Sequence, residues 1–331
     1  MPSKASNPTA RATRQGNPLK EWTFLLALGV VCALIVASLF VGEYDVFADE
    51  LGVGMFTITR IPRTLALVLS GAAMAMCGLV LQMLTQNRFV SPTTTGTTEW
   101  AGLGLLLVMI AWPEASIMTR MIGAIALSFV GTMVFFAFLR RVSLKSSLIV
   151  PIIGIMLGAV VSSISTFLAL QTDKLQSLGI WFAGSFTSVY KGQYEVLWIV
   201  IAVLIAVFVC ADRFTVAGLG EDMATSVGLN YQRLLFLGTG LVALATGVVT
   251  VVVGNLPFLG LIVPNMVSMI RGDDLRSNLP WVCVVGIGIV AACDLLARTI
   301  ISPFEIPVSV ILGLVGAVVF VYLIVRQRSH G

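Results

Sequence analysis

The chain alternates long apolar runs with short polar breaks, and the runs have the length of membrane spans. Crossing a hydrocarbon core of about 30 Å takes about 20 apolar residues. Such runs lie near 22–41, 64–85, 92–112, 118–139, 147–170, 194–211, 233–253, 281–299 and 307–325. A tenth run, Leu256 to Ile270, is short and broken by proline. Basic residues decide whether it crosses, because lysine and arginine accumulate on the cytoplasmic side. With ten spans and the N-terminus inside, 14 basic residues fall inside and 6 outside; without the short span the split is 11 to 9. The pattern therefore predicts an all-α fold, a polytopic membrane bundle of ten transmembrane helices with both termini cytoplasmic. Residues 1–20 form a cytoplasmic N-terminal tail and 21–331 the ten-helix domain.

Composition excludes most other classes. With 58% hydrophobic and 11% charged residues and a mean hydropathy of +1.00, the chain is far from a soluble domain, which is about 25% charged. The net charge of +4 divides by membrane side and gives no reason to expect nucleic acid. The five cysteines sit in apolar runs without a CxxC pair, and the one histidine, His330, is in the tail. Neither a metal site, a cofactor nor histidine catalysis is expected. The basic N-terminus followed by Trp22 to Val41 has the look of a secretory signal. Its apolar run is long, however, and no small-residue cleavage site precedes Glu43, so it reads as a retained first span.

The longest polar interruption is ADRFTVAGLGEDMATSVGLNYQRL, residues 211–234. Gly218 and Gly220 stop the preceding helix, and Glu221 and Asp222 suit the start of another. Leu219, Met223 and Val227 then recur at helical spacing until Gly228 and Asn230. The result is a short amphipathic helix outside the bilayer, on the cytoplasmic side in this topology. Its apolar stripe needs either a partner or the bilayer surface.

Within the spans, small residues recur closely: Gly71 with Ala75, Gly154 with Gly158, then Ser162, Ser163, Ser165 and Thr166. They permit close helix approach, and their hydroxyls bond across helices or line a wet path. SPTTTGTTEW differs in carrying five threonines and Glu99, too polar to face lipid. Its helix belongs inside the bundle, with Ser91 as cap and Pro92 in the first turn.

RIPRTLALVLSGAAMAMCGLVLQMLTQNRFVSPTTTGTTEW resembles the second and third spans of the FecCD-type permeases, membrane subunits of ABC importers for iron–siderophore complexes, haem and cobalamin. GLGEDMATSVGLN, GNLPFLGLIVPNMVSMIRGDDLRSNLPW and DLLARTIISPFEIPVSVILGLVGAVVFVYLI follow in the family's order, so the resemblance covers nearly everything beyond residue 20. It implies a permease domain of ten helices, paired with a second permease subunit, identical or related, around one path through the lipid bilayer. It further implies a cytoplasmic ABC ATPase dimer and an external siderophore-binding protein as partners. The cargo that the resemblance implies is an iron(III)–siderophore complex, catecholate type favoured, with cobalamin or haem as the alternative.

The same resemblance implies site residues. Leu219, Gly220, Glu221, Ala224 and Gly228 would form the ATPase-coupling surface. Arg60, Arg63 and Arg298, at outer span ends, would dock the binding protein. Arg298 follows Asp294 by four residues, so an intrahelical ion pair is the plain alternative. Ser143 and Ser146 would lie near an inner gate, Ser162 and Thr166 along the path, and Trp181, Gly184 and Ser185 at the outer mouth. Packing is an equal explanation for each of these. No GxxxxGK[ST] motif is present, so hydrolysis belongs to another subunit and the chain is not itself an enzyme. A gradient-driven secondary transporter is the other class; Asp294 is its best titratable candidate, and Asp294 lacks an acidic companion.

Overall fold

The computed structural model describes residues 22–41, 54–141, 148–301 and 304–328. Every regular element among them is helical. In chain order these are α1 (Trp22–Phe40), α2 (Ile61–Thr85, entered through a π-turn at Phe56–Arg60), α3 (Thr97–Ala111), α4 (Ile117–Arg141) and α5 (Ile149–Gln171). There follow α6 (Leu175–Phe182), α7 (Ile199–Val209, entered through a 3-10 turn at Tyr194–Trp198), α8 (Ala211–Ala217) and α9 (Glu221–Ser226). The chain closes with α10 (Tyr231–Val252), α11 (Leu259–Arg271), α12 (Leu275–Thr299) and α13 (Val308–Arg328).

Six of these helices are long and apolar enough to span a bilayer: α1, α2 with its π-turn, α4, α5, α10 and α12. The α7 and α8 helices meet at a 63° bend and make a seventh if counted as one span. Three apolar helices are shorter, namely α3, α11 and the Val308–Tyr322 part of α13. Length alone therefore gives fewer than the ten expected spans among the described residues, for a local reason. The run near 92–112 begins in a turn, with Gly96 at φ +79° and helix only from Thr97. Ser91 caps that turn through its hydroxyl, which accepts from the Thr94 amide at 3.3 Å. At α12 the error runs the other way. Asp274 caps the helix by accepting from the Ser277 amide, so it starts at Leu275 and takes Pro280 inside.

The centre of the bundle is α2, nearly all buried, with α10 beside it. Lipid gives helices no hydrophobic reason to associate, so close backbone packing must supply the attraction. Small residues make it here. A Cβ on Gly78 would lie 1.7 Å from the Gly260 carbonyl oxygen, and one on Gly286 would lie 2.7 Å from both the Ala75 Cβ and the Gly71 carbonyl. Gly154 packs on the Thr94 carbonyl, and Gly158 on Gly96. The threonines lie inside: Thr95, Thr97 and Thr98 are buried, and Thr97 bonds Thr132 of α4 at 2.9 Å. By contrast α1 and α5 turn broad apolar faces outward.

Candidate functional site

Two surfaces at opposite ends of the bundle gather the residues singled out by the sequence. The first is the α8–α9 turn. Phe214, Ala217 and Ala224 are fully buried and fix the turn to the bundle. Gly220 takes φ +114° to redirect the chain, and its carbonyl accepts from the Ala224 amide at 3.0 Å. Gly228 closes the far end at φ +80°, and the Asn230 side chain caps α10 by accepting from the Arg233 amide. Leu219, Met223 and Val227 remain 64%, 52% and 61% exposed, with Glu221 beside them also exposed. Of the five residues expected to form a contact surface, Ala224 faces inward. As the small residue of an otherwise exposed helix, it is the foot on which that helix stands.

This turn is tied to three other elements. A Cβ on Gly218 would meet the Met83 sulfur of α2 at 2.9 Å, and the Tyr231 hydroxyl donates to the Leu84 carbonyl at 3.0 Å. The Leu275 amide donates to the Thr215 hydroxyl at 3.1 Å, and Arg276 pairs with Asp212 at 2.9 Å. A push on the exposed stripe therefore reaches α2, α10 and α12 through packed contacts. The groove between this turn and α2 is edged by Arg88 and Asp273, paired at 2.6 Å.

The second surface is ionic. Asp294 of α12, whose side chain is fully enclosed, accepts from Arg63 at 2.7 Å and pairs with Arg298 at 2.7 Å. Arg63 also holds both Glu305 oxygens at 2.9 Å, and the Thr187 hydroxyl donates to Glu305 at 2.6 Å. Arg298 reaches across to α1, donating to the Ser38 and Val41 carbonyls and to the Ser38 hydroxyl. These carbonyls are the unfilled end of a helix, where a cation is favoured. Arg60 donates to the neighbouring Leu39 and Phe40 carbonyls. The expected exposed rim of arginines is thus partly internal. Arg298 is 6% exposed and its charge is spent on Asp294 and α1, while Arg63 is 13% exposed. Burial pushes the Glu305 carboxyl up, but the Arg63 charge and the Thr187 hydroxyl outweigh it and hold the group below the usual carboxylate range.

The Asp294–Arg298 spacing announced its ion pair, as the plain alternative had it. Nothing local announced Glu305 or Thr187, because their partners are remote in sequence. The path residues divide. Ser162 is half-buried, and Thr166 is exposed on α5 with its hydroxyl donating to the Ser162 carbonyl. Gly184, at φ +54°, is pressed onto the Asn255 carbonyl, and the Ser185 amide donates to the Val253 carbonyl at 3.0 Å. Trp181 stands half-buried beside them. Ser143 and Ser146 lie outside the described residues.

A helical bundle with at least six helices long and apolar enough to cross a membrane, an apolar-faced turn at one end and an arginine–carboxylate cluster at the other is the form of a multi-pass membrane protein. A family model described as the FecCD transport family matches residues 23–326, and the chain belongs to that family. It is 60% identical over 95% of its length to the petrobactin import system permease protein FatD of Bacillus anthracis, of which it covers 94%. It is 39% identical over 90% of its length to the petrobactin import system permease protein YclN of Bacillus subtilis, covering 96% of that protein. A solved inward-facing structure of a metal-chelate type ABC transporter superposes with a TM-score of 0.80 at 25% identity. The match covers 92% of this chain and 99% of that one.

Proposed function

We propose that the chain is the permease subunit of an ATP-driven importer that moves an iron(III)–siderophore complex across the cytoplasmic membrane. Relatives named for petrobactin import, and one named for ferric-anguibactin transport, support that cargo class. In this reading two permease subunits enclose the path, an ABC ATPase dimer grips their inner ends, and an external siderophore-binding protein delivers the cargo.

The observation that carries the reading is the unpartnered stripe of Leu219, Met223 and Val227, displayed on a turn whose other face is fixed to the bundle. An apolar stripe held rigidly outside the spans suits a groove on another protein. Glu221 opens the helix that carries the stripe and Gly228 ends the turn. ATPase closure would move this turn, and its contacts with α2 and α12 would pass the motion into the spans, so that each compartment is opened in turn.

The ten-span topology is part of the proposal. The α3 and α11 helices are roughly 20 Å long, short of the core thickness. Buried non-helical segments complete both crossings, since Pro92 to Gly96 and Val253 to Leu256 are mostly enclosed in protein, where irregular backbone is tolerated. With both termini inside, Arg60 and Arg63 sit at the outer face and remain the docking candidates. Arg298 acts there as a brace. The test is ATP-dependent uptake of a ferric siderophore after Glu221→Lys and Gly228→Val. Both should abolish uptake while the protein still reaches the membrane; undiminished uptake in both would rule the coupling role out.

A further inference from the structure

At the outer end of the bundle in this topology, four charged side chains balance one another. Arg63 and Arg298 bring two positive charges, and Asp294 and Glu305 bring two negative ones. The two carboxylates are held differently. Asp294 is wholly enclosed on α12 and shared by both arginines, and one of its oxygens takes the Nε and Nη2 of Arg63. Glu305 stands on the irregular segment between α12 and α13, with its side chain 29% exposed, and takes only the Nη1. Thr187, exposed on the segment between α6 and α7, donates to Glu305 at 2.6 Å. A bond from the Ser309 amide to the Gly184 carbonyl at 3.1 Å ties that segment to the start of α13 as well.

A balanced cluster restricts how Arg63 can meet a partner. Taking an enclosed carboxylate away from its arginines is strongly destabilising, whereas breaking a pair that solvent reaches costs far less. An acidic side chain arriving from outside finds the Nη1 of Arg63 occupied and a like charge beside it. It can gain the arginine only by displacing Glu305, because Asp294 is fixed within the bundle and already holds Arg298.

We propose that Glu305 is an internal competitor of the external binding protein: it occupies Arg63 in the free permease, and an acidic side chain of the docking protein takes its place. The exchange breaks the bridge from Arg63 through Glu305 to Thr187. Docking thus loosens one tie between the α6–α7 and α12–α13 segments, while the Ser309–Gly184 bond keeps their bases joined. Affinity is lowered in proportion to the fraction of time that Arg63 is free, and Glu305 competes again for the arginine when the emptied protein leaves. The inference rests on the import reading and on docking at Arg63, and goes further in making docking an exchange of carboxylates rather than an addition.

The test uses the assembled permease and ATPase in lipid nanodiscs and measures docking of the external binding protein by biolayer interferometry. Ionic strength is held fixed, since salt screens such pairs. Glu305→Gln should tighten docking about tenfold and at the same time lower the melting temperature. Thr187→Val, which leaves every charge in place, should tighten docking by a smaller factor. Arg63→Gln should weaken docking, and adding Glu305→Gln to it should bring no gain. The opposite signs are decisive, because a carboxylate that only braces the fold would lose affinity together with stability. Thermal unfolding shows which variants are folded. Equal or weaker docking in Glu305→Gln overturns the exchange, and so does an equal gain with and without Arg63, which would mean plain repulsion by the Glu305 charge. Uptake on the same preparations separates the two readings. Failure of the exchange beside normal ferric-siderophore uptake leaves import standing, whereas an Arg63-dependent gain beside a wild type that imports no ferric siderophore sinks import and leaves the exchange.

Discussion

At the scale of single residues, the bundle depends on atoms that are missing and charges that are matched. Gly78 has no room for a methyl group against the Gly260 carbonyl, so Gly78→Val should force α2 and α11 apart and leave little folded protein by size-exclusion chromatography. Asp294 lies enclosed between two arginines. Asp294→Asn would leave the enclosed Arg298 without a carboxylate partner and Arg63 with Glu305 alone, and breaking a buried pair in this way costs about 3–5 kcal/mol. A marked fall in thermal stability in detergent is the expected result. Glu305 adds a pH dependence. Its carboxyl is held below the usual range, so its pairing stabilises the fold above the ordinary carboxylate value of about 4.3 and is lost as pH falls through the lowered one. The stability difference between wild type and Glu305→Gln should therefore shrink below about pH 4, as thermal melts across pH will show. Little of this was legible in the sequence. The small residues were visible as a class, but which backbone each one meets is a long-range fact, and so is the bond from Arg63 to Asp294.

At the scale of elements the sequence was far more open to reading. Apolar runs mark helices because a span must satisfy its backbone internally and present apolar side chains outward. Long runs such as Ile117–Arg141 and Ile149–Gln171 were therefore placed within a few residues. Boundaries failed where local chemistry overrides hydropathy, at the capped Ser91 turn and at the Asp274 cap, which carries α12 past Pro280. The short α9 helix was legible because glycines bound it and its stripe keeps helical spacing. Its inward foot, Ala224, was not, since alanine fits either face. Met223→Asp should leave the melting temperature nearly unchanged, as an exposed substitution does, yet cut ATP-dependent uptake severely. Uptake and melting curves measured on the same preparation decide this, and equal losses in both would point to a merely structural helix.

At the scale of the whole molecule, the two ends have different chemistry and a rigid middle joins them. The α8–α9 turn exposes an apolar stripe and is tied to α2 and α12. The ionic cluster at the other end sits on those same two helices, through Arg63 and through Asp294 and Arg298. The α2 and α12 helices thus run from one surface to the other, a physical route by which a motor on one face can reach cargo on the other. Dependence on such a motor is the centre of the proposed function, and reconstitution tests it most directly. Proteoliposomes holding the permease, its ATPase and its binding protein would be offered radiolabelled ferric siderophore with ATP, with a non-hydrolysable analogue, or with an imposed ion gradient alone. Accumulation with ATP, and none under the other two conditions, is the predicted result; uphill uptake by the permease alone on an ion gradient would contradict the account.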